Sequence, residues 1–300
     1  MKWDRSLYPF TSNYFLMGGL RLHYLDEGAG DPIVMLHGNP TWSFYFRNLV
    51  LALRDKHRCI VPDHIGCGLS DKPDDQRYDF SLRRRVDDLE QLLRHLRVDS
   101  RATLVLHDWG GMIGMAWAVR HPESVARLVI LNTAAFPLPA VKRLPWGLWL
   151  ARNTRLGAWL TLRGNAFCRA AARWCVTRRP LPDKVRQGLL APYDTPNHRR
   201  AVLRFVQNVP LGPSDPGYDI VKEVEANLHR FRNIPTLICW GMRDFVFDET
   251  FLATWQKHLP AARVVRFPDC GHYILEDAPD EVIREVQAFL ASSPVGGSGA

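Results

Sequence analysis

The sequence predicts an α/β fold built on a mostly parallel central sheet. Short apolar runs alternate with amphipathic stretches at both ends of the chain, and those runs are apolar nearly throughout, as in strands buried on both faces. The middle of the chain breaks this alternation, which predicts a helical insertion. With 300 residues and 46% hydrophobic content, there is ample apolar material for one large core.

The elements follow in order. LRLHYLDEG, DPIVMLHG and CIVPDH read as strands. In SLRRRVDDLEQLLRHL, apolar residues at Leu82, Val86, Leu89, Leu92, Leu93 and Leu96 recur at spacings of three and four, which predicts a helix from Ser81 to Leu96. TLVLHD is the next strand and GGMIGMAWAVRHP a helix closed by Pro122, followed by the strand RLVILN. After Asn132 the proline-rich FPLPAVKRLP opens a stretch rich in Arg, Trp and Ala that runs to about Leu228. Alternation resumes with PTLICWG, ARVVRFPD and a last helix, DEVIREVQAFL. The expected organisation is a core of residues 1–135 and 229–292, a helical cap at 136–228 and a flexible tail at 293–300.

Charge is concentrated in that insertion. The chain carries a net +8, yet Phe136 to Arg200 holds 13 Lys and Arg against two acids, Asp183 and Asp194. Trp146, Trp149 and Trp159, with Leu156 and Leu160, suggest helical faces packed over a site. The basic outer face suits anionic lipid headgroups or an acidic partner protein. No binding motif accompanies the charge, so nucleic acid is not an expected partner. Neither a basic-then-apolar leader nor a run of roughly 18 apolar residues is visible, so a cytoplasmic protein is expected. The six cysteines lack CxxC pairing and read as reduced and mostly buried. Cys270, two residues before His272, reads as structural.

The sharpest chemical signal is TLVLHDWGGMIG. An apolar strand runs through His-Asp-Trp-Gly-Gly directly into a helix, the pattern of a nucleophile elbow, in which small residues permit a strained turn that exposes the nucleophile. Asp108 stands where Ser usually does. Asp also caps helices well, but a cap alone requires neither the paired glycines nor the partners found elsewhere in the chain. A carboxylate is ionised at neutral pH, needs no activating base, and forms an ester with an electrophilic carbon. His272, in FPDCGHYILED, is the candidate imidazole. It sits in a loop after a strand and comes last in the chain, as the nucleophile–acid–histidine order of an α/β-hydrolase fold requires. Asp244, four residues beyond Trp240, is the candidate acid, with Asp248 as runner-up. A related branch carries its acid after the preceding strand, but the position there is near Asn132, which cannot be anionic.

The loop HGNPTWSF should donate a backbone N–H to an oxyanion, with a second from Trp109. The Asn39 amide and the Trp109 indole N–H are also donors able to converge on one anion.

HGNP, DWGG, WGMRD and the terminal GH resemble the haloalkane dehalogenase pattern over essentially the whole chain. That resemblance implies that Asp108 displaces the leaving group, Asn39 and Trp109 hold it, and His272 activates water. PDHIGCGLSDKPDD, LHDWGGMIG, NTAAFPLP, NAF, APYD and HYILED are similar, more closely still, to the β-lactone decarboxylases of bacterial long-chain olefin biosynthesis. The resemblance implies conversion of a cis-3-alkyl-4-alkyloxetan-2-one to a cis-alkene and CO2, with no cofactor and no metal. It also implies an assembly with a β-lactone synthetase and a reductase of the same pathway.

Three other readings compete. A haloalkane dehalogenase would use the same site with a different leaving group. An epoxide hydrolase shares the elbow but usually has an aromatic after HG, where Asn39 stands, and a pair of cap tyrosines, for which only Tyr193 and Tyr218 are available. A non-catalytic scaffold of this fold should lose members of the triad, and all three are present.

Overall fold

The structure is a computed structural model that describes residues 3–294. Among the described residues, eight strands form one sheet: β1 (Asn13–Met17), β2 (Leu20–Glu27), β3 (Pro32–Leu36), β4 (Arg58–Pro62), β5 (Ala102–Asp108), β6 (Val125–Thr133), β7 (Thr236–Gly241) and β8 (Arg263–Phe267). Their order is β1-β2-β4-β3-β5-β6-β7-β8. β1 and β2 pair antiparallel, as do β2 and β4, and every later pairing is parallel. The sequence reading missed β1. Tyr14 and Leu16 face solvent there, at 46% and 68% exposure, so the strand shows no alternation of apolar and polar residues.

Alternation within the parallel strands divides the core in two. Val34, Leu36, Leu104, Leu106, Leu128 and Ile130 enter one cluster, whereas Ile33, Met35, Val105, Val129 and Leu131 enter the other. All are fully buried, and each contributes roughly 1.5–3 kcal/mol of transfer free energy.

Among the described residues, twelve α-helices cover and interrupt this sheet. α1 (Arg47–Leu53), α2 (Leu82–His95) and α3 (Trp109–Arg120) come first. The run between β6 and β7 holds α4 (Trp146–Asn153), α5 (Arg155–Gly164), α6 (Ala166–Trp174), α7 (Asp183–Leu190), α8 (Arg200–Gln207) and α9 (Tyr218–Asn227). α10 (Glu249–His258), α11 (Ile274–Asp277) and α12 (Pro279–Ser292) complete the chain. In α2, Ser81 caps the first turn by accepting from the Arg84 N–H. The predicted stripe of Leu82, Val86, Leu89, Leu92 and Leu93 is buried. α3 packs against α2 and α9 on one side of the sheet, and α1 against α12 on the other.

No helix among the described residues is long and apolar enough to cross a membrane. Most of the tail expected at 293–300 lies outside the described residues.

Candidate active site

Asp108 closes β5 and stands immediately before α3, with φ 51° and ψ −125°. A non-glycine residue there is held in a sparsely populated conformation, a strain of about 1–3 kcal/mol that the surroundings must enforce. They do so at close range. A Cβ on Gly110 would run into the Leu36 carbonyl, so α3 approaches β3 this closely only because that position is glycine. Thr133 donates its hydroxyl to the Asp108 carbonyl. The carboxylate meets the HGNP loop, whose Gly38 likewise has no room for a Cβ beside Asp108 Oδ1. The Asn39 N–H donates to that oxygen over 2.6 Å.

His272 lies in the loop between β8 and α11. Its Nε2 faces Asp108 Oδ2 at 3.6 Å, and its Nδ1 is 2.7 Å from Asp244 Oδ2. Asp244, three residues beyond β7, also receives the Asn132 Nδ2 amide on Oδ2 over 3.0 Å and the Val246 N–H on Oδ1 over 2.7 Å. With Asp244 fixing the proton on Nδ1, Nε2 is the ring atom presented to Asp108. The runner-up, Asp248, is engaged elsewhere. It caps α10 by accepting from the Thr250 N–H and pairs with Lys142 at 2.6 Å.

The site is closed from solvent, with Asp108, His272 and Asp244 all buried. Burial pushes the Asp108 carboxyl above its ordinary range, against the pull of His272 and of the Asn39 and Trp109 N–H groups. Burial also opposes a charged imidazole, but Asp244 and then Asp108 outweigh it and hold His272 above its ordinary value. Asp108 and His272 thus favour each other's charged forms, while burial disfavours both charges.

Asn39 and Trp109 flank the carboxylate, but not as two free donors. Asn39 Nδ2 already donates to the Val202 carbonyl over 3.1 Å, which leaves one amide hydrogen, and Asn39 Oδ1 is buried without a partner. Trp109 packs its ring on Phe205, centroids 5.1 Å apart. Both contacts come from α8, so this helix roofs the site. That corrects one expectation. Trp146, Trp149, Leu156 and Trp159 do not pack over the site, being 81%, 53%, 58% and 58% exposed, and Leu160 is only partly buried. Their spacing of three and four marks a helix face equally well whether it points inward or outward.

His107 is a contributor the sequence reading passed over. Its Nε2 bonds the His272 carbonyl over 2.9 Å and its ring lies against the His272 ring, tilted by 37° with centroids 4.6 Å apart. Burial holds it well below its ordinary pKa, so it is neutral and fixes the histidine loop from beneath. Adjacency to the nucleophile was the available signal. Val202 and Phe205 carried none, since only tertiary packing sets them over Asp108. Cys270 is buried with its thiol pushed up to about 12, which fits the structural reading.

The family model for the α/β hydrolase fold matches residues 31–279. The chain belongs to the α/β-hydrolase family. Among curated relatives, this chain is 54% identical to a cis-3-alkyl-4-alkyloxetan-2-one decarboxylase of Shewanella oneidensis, over 96% of this chain and 91% of the relative. It is 47% identical to the protein of the same name from Xanthomonas campestris, over 96% and 98%. Haloalkane dehalogenase 2 of Mycobacterium tuberculosis is 34% identical over 94% and 96%. Among solved structures, the haloalkane dehalogenase DatA of Agrobacterium tumefaciens superposes with a TM-score of 0.85 at 24% identity, covering 96% of this chain and 99% of that one. The α/β-hydrolase architecture is thus shared with dehalogenases, while sequence identity is higher to the decarboxylases.

Proposed function

We propose that this α/β hydrolase is a β-lactone decarboxylase that converts cis-3-alkyl-4-alkyloxetan-2-ones to cis-alkenes and CO2. The observation that carries the reading is 54% and 47% identity, nearly end to end, to two proteins bearing that name, against 34% to a dehalogenase. The site chemistry supports it.

The Asp108 carboxylate attacks the ring carbon C4 and breaks its bond to the ring oxygen. The strained ring opens to a carboxylate while C4 becomes an ester of Asp108. The new carboxylate takes the remaining Asn39 amide hydrogen and the Trp109 indole N–H. The C2–C3 bond then breaks, its electron pair forms the C3–C4 double bond, and the ester oxygen leaves C4. CO2 and alkene depart and Asp108 returns as a carboxylate. Inversion at C4 followed by anti fragmentation is a net syn process, so a cis-lactone gives a cis-alkene. His272, as imidazolium 3.6 Å from Asp108, stabilises the departing carboxylate. No water enters the balance.

Residues 136–228 serve as the cap, with α8 above the reacting atoms. By its likeness to the olefin-pathway enzymes, the protein works beside a β-lactone synthetase and a reductase, in the cytoplasm.

The test is product analysis in oxygen-labelled water, with a cis-dialkyl β-lactone and a bromoalkane series in parallel. Unlabelled cis-alkene from the lactone is expected. Labelled hydroxy acid, or halide release exceeding alkene release, overturns the reading.

A further inference from the structure

The face that does not pack over the site is both apolar and basic. Trp146 and Trp149 are one turn apart on α4, and Leu156 and Trp159 one turn apart on α5. A single residue, Thr154, joins these two helices, which pack together. All four side chains are more than half exposed, as is Val141 at 81% just before them. Scattered exposed apolar residues are ordinary, but three indoles and a leucine on two adjoining helices form a patch.

Around that patch lies unbalanced positive charge. Arg155 and Arg163 flank Leu156 and Trp159 along α5, and Arg169 and Arg173 follow one turn apart on α6, all exposed. Among the described residues, Arg143, Arg155, Arg163, Arg169, Arg173 and Arg179 form no ion pair, and residues 136–200 hold only two acids, Asp183 and Asp194, against 13 Lys and Arg. α6 and α7 enclose a cleft of about 580 Å³ lined by alanine and leucine, by Arg169 and Arg173, and by the Arg186–Asp183 ion pair. Beside it Trp174 is 62% exposed.

We propose that the outer face of α4, α5 and α6 docks on an anionic lipid bilayer. Indoles bury an apolar body while keeping a polar N–H among headgroups, and guanidinium groups above them pair with lipid phosphates. An acidic protein would satisfy the arginines but would have to supply an apolar counterface for three indoles. A bilayer supplies both at once. The inference is independent of the reaction assigned above, because lipid binding is read without substrate.

The test is sedimentation of the whole protein with vesicles of phosphatidylcholine alone or with about one third phosphatidylglycerol, at low and high salt. Binding to the anionic vesicles is expected, weakened by salt, and at least tenfold weaker for phosphatidylcholine alone. Two variants, Trp146→Ser/Trp149→Ser/Trp159→Ser and Arg155→Glu/Arg163→Glu/Arg169→Glu/Arg173→Glu, should each lose tenfold or more in vesicle binding. Circular dichroism and turnover of a short-chain soluble substrate should stay at wild-type levels. No sedimentation with anionic vesicles, or equal binding by the tryptophan variant, overturns the proposal. So does a soluble polyglutamate bound as tightly as the vesicles without dependence on the indoles.

Discussion

Asn132 and Asp244 meet over 3.0 Å at the carboxyl ends of adjacent strands, and the oxygen that takes the Asn132 amide is the one that holds His272 Nδ1. The same asparagine ties the strands together, accepting from the Gly241 N–H at 2.8 Å and donating to the Gly241 carbonyl at 3.0 Å. Excluded as the acid for want of charge, it fixes the acid in place. Asn132→Ala should lower kcat about tenfold with KM little changed, the loss expected for one hydrogen bond of about 1.5 kcal/mol to a charged group that orients the imidazole. The alkaline limb of the pH profile should move with it. Steady-state kinetics across pH decides the matter, because a purely structural role would lower the melting temperature and leave that limb alone.

The pH profile separates the two chemistries this site could run. Asp108 must be anionic for either, so activity falls on the acid side, through a pKa raised above 3.8 by burial. His272 titrates above 6.5 because Asp244 and Asp108 favour its cation. An imidazolium that stabilises departing carboxylate predicts decarboxylation that declines as pH rises through that value. Hydrolysis through a His272-activated water would instead rise through it. Alkene formation should therefore follow a bell and halide release from a bromoalkane, where measurable, a rising curve.

Much of the fold and the site was legible because it depends on local pattern. The stripe in α2 and the near-continuous apolar β5 needed only period and polarity. The elbow announced Asp108 because glycines are required where α3 leaves the sheet, and chain order then pointed to His272 and Asp244. What stayed hidden was set by tertiary contact. Nothing in RAVLRFVQ says that the Val202 carbonyl holds the Asn39 amide or that Phe205 braces Trp109. Nor does the spacing of Trp146, Trp149 and Trp159 say whether their face points to the core or to water.

Asp108 also costs the protein stability. A buried carboxyl whose pKa is raised above its unfolded value favours folding only while protonated. That contribution is complete below about pH 4, is lost as pH rises through the folded pKa, and stays absent at neutrality. Asp108→Asn keeps the shape, and its Oδ1 still accepts from the Asn39 N–H, while the buried negative charge is removed. The variant should be inactive and more stable by about 1 kcal/mol at neutral pH, a rise of roughly 2–4 °C in melting temperature. Differential scanning calorimetry should show the gain shrinking toward pH 4. A melting point equal to or below wild type at neutral pH would mean that the ion pair with His272 outweighs desolvation.

The opposite sign is expected at Asp63. It and His23 are completely buried 2.8 Å apart, and the Asp63 carboxylate also receives the Ser43 N–H at 2.7 Å and the Leu69 N–H at 2.8 Å. Burial raises its pKa, but His23, then His37 and the Leu69 N–H more than reverse that and hold it well below the ordinary carboxylate range. A depressed carboxyl stabilises the fold above its unfolded pKa, and that stability is lost as pH falls through the ordinary value toward the folded one. Because Ser43 follows Asn39 in the loop over Asp108, this pair anchors the loop that shapes the site. Asp63→Asn leaves the His23 ring without its anionic partner and should cost about 3–5 kcal/mol at neutral pH in urea unfolding. The deficit should narrow below about pH 4, where wild type begins to lose the same interaction. Ser43 and Leu69 donate to different Asp63 oxygens, so the single asparagine oxygen keeps only one of them, and an unchanged unfolding midpoint at neutral pH would show that neither the charge nor the second donor is needed to hold the loop.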